Sequence, residues 1–136
     1  DEINQEVDET HVLGIALLHD LAECVLGDLP APALRHLSTE AKRTAEASAM
    51  QSLLSPLSHP ERLLSLLHEY EEGQTAAARL VRDADRLEML LQALAYEEAG
   101  HRGLDEFWQQ AETYRWAFAA SQSLYNTLTA ERAGLK

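Results

Sequence analysis

The sequence predicts an all-α protein, a compact bundle of about six helices, and three observations carry that expectation. Ala, Leu and Glu abound while β-branched residues are sparse, which is helix composition. The six Gly and four Pro fall mostly between segments of helical periodicity. A chain of 136 residues, 46% hydrophobic, is long enough for one domain with a real core and too short for two ordinary ones, so residues 1–136 are read as a single domain.

The elements follow in order. Asp8 or Thr10 can cap a first helix from about His11 to Leu26, ended by Gly27 and followed by the proline-bearing segment Asp28, Leu29, Pro30, Ala31, Pro32. A second helix runs from Ser38 or Thr39 to Leu54, with Pro56 beyond it and Lys42, Arg43 and Glu46 on a polar face. Pro60 suits the first turn of a third, which continues to Glu71 before Gly73. The fourth and longest, Thr75 to Ala99, repeats Leu80, Ala84, Leu87, Leu91 and Leu94 at helical spacing and should form the spine of the core. Helices from about Leu104 to Thr113 and Arg115 to Arg132 complete the chain, with Phe107, Trp108, Trp116, Phe118, Leu124, Tyr125 and Leu128 as packing groups. There is no internal repeat or low-complexity tract.

Charge and composition exclude several roles. A formal net charge of −12 with no Lys/Arg stripe repels a nucleic acid polymer, although a single small phosphate ester can still bind where local cations dominate a pocket. No apolar run approaches the roughly 20 residues needed to span a bilayer, and the N-terminus, Asp1 to Glu6, has no basic region leading into an apolar one. The expectation is a soluble, cytoplasmic protein, and the lone Cys24 fits a reduced thiol.

The feature that points to chemistry is His19-Asp20 in the apolar run from Ile15 to Ala22. An imidazole and a carboxylate buried without partners cost several kcal/mol each, about 2–7 for a neutral polar group and more for a charge. A shared divalent cation removes that cost by taking a nitrogen and an oxygen as ligands. Glu23, four residues after His19 and three after Asp20, reaches the same patch on a helix. On the long helix Asp83 and Asp85 fall on opposite borders of the apolar stripe, so periodicity selects neither as a site residue.

The stretch Ala16 to Asp28, ALLHDLAECVLGD, resembles the HD-domain phosphohydrolases, most closely the HD-domain 5′-deoxynucleotidases. The likeness continues through Leu67-His68-Glu69-Tyr70-Glu71 and the Arg79 to Met89 stretch, and on to about residue 110. It implies one divalent transition metal, Mn, Co, Fe, Ni or Zn, held by His19, Asp20 and Asp85. It also implies Glu23 as the group that orients or deprotonates the attacking water, Asp28 as a proton donor to the leaving oxygen or else a cap of the next turn, and Glu69 as a carboxylate facing the sugar. Lys42 is a candidate phosphate contact, with a solvated helix charge as its ordinary alternative.

The expected substrate is a deoxyribonucleoside 5′-monophosphate, with a homodimer as the family's usual assembly and no nucleic acid or membrane partner. The alternatives are hydrolysis of another nucleotide or phosphorylated metabolite, or a non-catalytic helical binding module. The family's additional metal-binding His and an Arg-Trp pair lie some tens of residues before the HD pair, where this sequence has neither. His11 sits on the same predicted helix as His19, where the family has no ligand. The chain is therefore expected to be N-terminally incomplete relative to the family, its first family helix not represented here.

Overall fold

Every element that a computed structural model places in residues 7–30, 33 and 35–135 is helical, and no strand occurs among the described residues. The acidic run Asp1 to Glu6 and the Ala31-Pro32 part of the expected loop lie outside them.

Asp8 opens α1 (Glu9–Leu18), its carboxylate accepting from the Thr10 and His11 N–H groups at 2.9 and 3.3 Å. The predicted helix from His11 to Leu26 is in fact two. His19 N–H still closes a four-residue bond to the Ile15 carbonyl, but Leu21, Glu23 and Cys24 donate three residues back, to Leu18, Asp20 and Leu21. The tighter bonding makes a turn over residues 19–22 before the single-turn α2 (Glu23–Leu26), which ends at Gly27 with φ of 74°. No Pro or Gly marks this break, so periodicity alone reads through it. The HD pair thus occupies a corner of the chain. Cys24 is free and exposed on α2.

The middle of the chain follows the expectation closely, because its boundaries are set by local chemistry. Ser38 caps α3 (Thr39–Leu54) by accepting from Ala41 N–H at 3.1 Å. Pro60 occupies the first turn of α4 (Pro60–Glu72), and Thr75 caps α5 (Ala76–Glu98) by accepting from Ala78 N–H at 3.1 Å. Two helices follow, α6 (Asp105–Glu112) and α7 (Ala119–Gly134). The last begins four residues later than Arg115, since the Ala117 and Phe118 N–H groups donate to the Asp83 carboxylate instead of entering a helical ladder.

Packing divides into three clusters around α5, which touches α1, α4, α6 and α7. Leu18, Ala22, Met50, Leu54 and Leu67 join the corner to α3 and α4. Ile15, Ala77 and Val81 lock α1 onto α5. Leu90, Ala93, Leu94, Trp108 and Ala111 form the far cluster, with Trp116, Tyr125 and Leu128 against it. The buried face of α5 therefore runs through Val81, Leu90, Ala93 and Leu94, while Leu91 is 57% exposed and Ala84 lies at the surface. This corrects the predicted stripe of Leu80, Ala84, Leu87, Leu91 and Leu94, of which only Leu94 is fully buried. A helix contacted by four others is not buried along one narrow seam. No helix among the described residues is long and apolar enough to cross a membrane.

At the end of α4, Gly73 takes φ of 65°, and a Cβ there would lie 2.3 Å from Arg82 Nη1. Arg82 uses this space to donate from Nη2 to the Tyr70 and Glu71 carbonyls at 2.7 and 2.9 Å, satisfying the C-terminal acceptors of the helix. Gly73→Ala is expected to lower stability by about 1–2 kcal/mol from the left-handed backbone alone, with more if Arg82 is displaced. Urea unfolding measures this, and an unchanged midpoint would disprove the cap.

Candidate metal centre

His19 lies at the bottom of the corner turn. Its Nδ1–H donates to the Ala16 carbonyl at 2.7 Å, which fixes the ring and turns Nε2 toward two acids, Asp20 Oδ2 at 3.0 Å and Asp85 Oδ1 at 3.8 Å. Neither approach has hydrogen-bond geometry, so Nε2 is a buried polar atom without a hydrogen-bond partner. The side chains of Asp20 and Asp85 are 57% and 45% exposed against 17% for His19, so the group is closed beneath and open above. One ligand atom from each of the three lies within 4.8 Å of the others.

This arrangement fits a divalent cation. A buried imidazole nitrogen without a hydrogen bond sits beside two carboxylates of like charge, and a shared ion satisfies all three. The Ala16 carbonyl is the kind of partner that orients a metal-binding imidazole through its other nitrogen. Three protein ligands on an open face leave positions for water or substrate.

Electrostatics show the strain among the acids. Asp85, ahead of the Ala16 carbonyl and Asp20, favours the protonated ring against the opposing effect of burial, and the His19 pKa is pushed up to about 9. The Asp20 carboxyl is raised, mainly by burial and then by Asp85 and Asp28, with His19 opposing. Glu23 is raised as well, by desolvation first and then by Asp20 and Asp28, while Lys42 opposes. The site has more negative charge than it can comfortably hold.

Two clefts meet at this group. The larger, about 440 Å³, is lined by Asp20, Glu23, Asp28 and Asp85 and continues along α5. The smaller, about 280 Å³, is lined by His19, Asp20, Glu23, Lys42, Tyr70 and Asp85 among others. The structure thus brings together six of the seven predicted site residues. Lys42 also pairs with Glu46 at 3.3 Å. Glu69 stands apart: it lines neither cleft, accepts from the Thr75 hydroxyl and sits 2.7 Å from His11 Nε2.

The Asp83/Asp85 ambiguity resolves by burial. Asp83 is fully buried and accepts from Tyr114 Oη–H, Ala117 N–H and Phe118 N–H, leaving Asp85 to face the site. Tyr70 is a site residue that spacing did not single out. Its ring meets His19 edge-on at 5.2 Å, and burial, then the charges of Asp85 and Asp20, push its pKa up to about 12. It falls within the quoted stretch around Glu69, but only the tertiary packing of α4 on α1 reveals its partner.

Glu69 gives a prediction for acid stability. The Thr75 hydroxyl, followed by His11, holds its carboxyl below the ordinary value of 4.5, with burial opposing. A folded-state pKa below the unfolded one stabilises the protein above the unfolded value, and that contribution is lost as pH falls through the folded one. Glu69→Gln is therefore expected to cost stability at neutral pH, with the gap to the parent closing below pH 4.5. Urea midpoints across that range check it; a gap independent of pH would contradict it.

The HD domain family (HD_3) matches residues 1–123 of this chain. The chain is 39% identical over 101 residues to a Xenopus laevis protein named 5′-deoxynucleotidase HDDC2, covering 73% of this chain and 49% of that protein. It is 40% identical over 90 residues to the human protein of the same name (65% and 43% covered), and 34% identical over 109 residues to the 5′-deoxynucleotidase hdd1 of Schizosaccharomyces pombe (74% and 54%). A solved structure from Pyrococcus horikoshii superposes with a TM-score of 0.71 at 35% identity, covering 98% of this chain and 70% of that one. A conserved hypothetical protein of Pyrococcus furiosus gives 0.70 at 34% identity (94% and 69%). The chain belongs to the HD-domain family. Within it, the chain is similar to 5′-deoxynucleotidases and spans about half the length of those curated relatives.

Proposed function

We propose that this protein is a metal-dependent phosphomonoesterase that hydrolyses deoxyribonucleoside 5′-monophosphates to deoxyribonucleosides and phosphate. The observation that carries the reading is the buried Nε2 of His19, without a hydrogen bond and facing Asp20 and Asp85 where two clefts meet. The relatives named 5′-deoxynucleotidase support the substrate class.

His19, Asp20 and Asp85 would hold a divalent ion, which supplies positive charge to the phosphoryl oxygens and acidity to water. Such mixed nitrogen and oxygen ligation suits Mn, Fe, Co, Ni or Zn. Glu23 lines both clefts and its raised pKa makes it a stronger base than an ordinary carboxylate, suited to orient the attacking water and take its proton. Asp28 faces the larger cleft, where a leaving nucleoside oxygen would be protonated. Lys42 enters from the smaller cleft, held by Glu46, as the partner for a phosphoryl oxygen.

Charge favours one phosphate over several. Among the described residues Lys42 is the only Lys or Arg lining either cleft, and five carboxylates, Asp20, Glu23, Glu46, Glu71 and Asp85, line the smaller one with it. A further phosphate beyond the one beside Lys42 would meet like charge.

The place of Glu69 favours a second reading. A carboxylate engaged with His11 and Thr75 rather than lining a cleft is poorly placed to reject a 2′-hydroxyl, so an HD hydrolase acting on another nucleotide is the rival. Phosphate release from matched deoxyribo- and ribonucleoside monophosphates, with chelator or with added Mn²⁺ or Co²⁺, separates the two. Metal-dependent release selective for deoxynucleotides is expected; equal rates on both sugars would favour the rival, and no release from any substrate would overturn both.

A further inference from the structure

The larger cleft changes character with distance from the metal-binding group. Asp85, Glu88, Met89, Gln92, Ala93 and Tyr96 all line it from α5. Their spacing of three, four, seven, eight and eleven residues from Asp85 places them on one face of the helix. At about 1.5 Å per residue Gln92 stands roughly 10 Å, and Tyr96 roughly 16 Å, along the axis from Asp85. The cleft therefore begins among carboxylates and ends among Gln92, Tyr96, Leu104 and Phe107.

That far end has features the hydrolytic chemistry does not use. Phe107 is 39% exposed and Tyr96 49% exposed, although Phe107 reads from sequence as a packing group and Trp108 beside it is buried. The His101 ring meets Tyr96 edge-on at 5.5 Å, which orients it. The Gln92 amide offers both a donor and an acceptor. Among the described residues no Lys or Arg lines this cleft, so its far end offers a phosphate no cation. Flat aromatic faces with one amide, beginning about the length of a nucleoside monophosphate away from the metal ligands, suit a heteroaromatic ring that stacks and presents a polar edge.

We infer that Gln92, Tyr96 and Phe107 form the subsite for the nucleobase, with the deoxyribose lying between them and the metal ligands. This rests on the phosphohydrolase reading. It adds that the base itself contributes to recognition, and that the nucleoside points along α5 toward α6 while the phosphate lies on the Lys42 side.

The test compares kcat/KM for dAMP with that for 2-deoxyribose 5-phosphate, which carries the same ester and no base, on the Mn²⁺-loaded protein. The parent is expected to prefer the nucleotide by at least about tenfold. Phe107→Ala is expected to remove most of that preference through KM for dAMP, with Phe107→Leu close behind, since it keeps apolar bulk but loses the flat ring. Gln92→Ala should lower the preference and change its order among the four bases. A nucleotide preference within twofold of the parent in both Phe107→Ala and Gln92→Ala would overturn the subsite. If the parent hydrolyses nothing, the phosphohydrolase reading fails instead, and equilibrium binding of deoxyadenosine decides the subsite. Binding by the parent that weakens about tenfold in Phe107→Ala upholds it; absence of binding, or equal binding in both, overturns it.

Discussion

Replacing Asp85 with Ala is expected to abolish metal-dependent phosphate release, by a factor of at least about a thousand or roughly 4 kcal/mol of transition-state stabilisation, while leaving the fold intact. Both halves follow from the geometry. Asp85 Oδ1 faces His19 Nε2 and belongs to the only group of three candidate ligands found among the described residues. Its side chain is 45% exposed, so its loss removes little packing; it relieves repulsion with Asp20 and gives up attraction to the protonated His19 ring, two effects of opposite sign. The variant should therefore still unfold cooperatively in urea without metal. Calorimetric titration with Mn²⁺ should show weakened binding alongside the lost activity. Wild-type affinity for the metal in this variant would remove Asp85 from the ligand set whatever the activity did.

Two residues earlier on the same helix, Asp83→Ala should do the opposite. Asp83 is fully buried, and its oxygens accept from Ala117 N–H at 3.0 Å, Phe118 N–H at 3.2 Å and Tyr114 Oη–H at 3.0 Å. Truncation leaves these donors without their acceptor, at about 1–3 kcal/mol for a buried polar group, so a total near 3–5 kcal/mol is expected. The link also pins the entry to α7, where Trp116 packs between Tyr114 and Tyr125 at ring separations of 4.8 and 5.3 Å. Urea unfolding should therefore show a large drop in midpoint. A loss below about 1 kcal/mol would mean the α6–α7 connection is held by its apolar contacts alone.

This pair also shows how far the sequence could be read. The cap at Asp8 or Thr10, the helix starts at Ser38 or Thr39 and at Thr75, Pro60 in a first turn and Gly73 at a helix end were legible because each acts on its own few residues. The grouping of His19, Asp20 and Asp85 needed the family resemblance, since helical spacing left Asp83 and Asp85 equivalent. What separates them is the partner of Asp83, two backbone N–H groups more than thirty residues away that carry no side-chain signature. The corner at residues 19–22 escaped for a related reason, as three-residue bonds replaced four-residue ones without a breaker in the sequence. The unburied side of Leu91 was hidden too, because the number of helices that would pack on α5 is a property of the whole chain.

The meeting of two clefts at one set of ligands has a kinetic side. An active site with a single mouth makes its products leave in turn, the inner one waiting for the outer. Here the larger cleft opens along α5 and the smaller beside Lys42, and Asp20, Glu23 and Asp85 line both. On the proposed reaction the nucleoside and the phosphate would each have an exit of its own. Neither would block the other, their order of departure would be random, and the slower of two independent departures would set how soon the next substrate can enter.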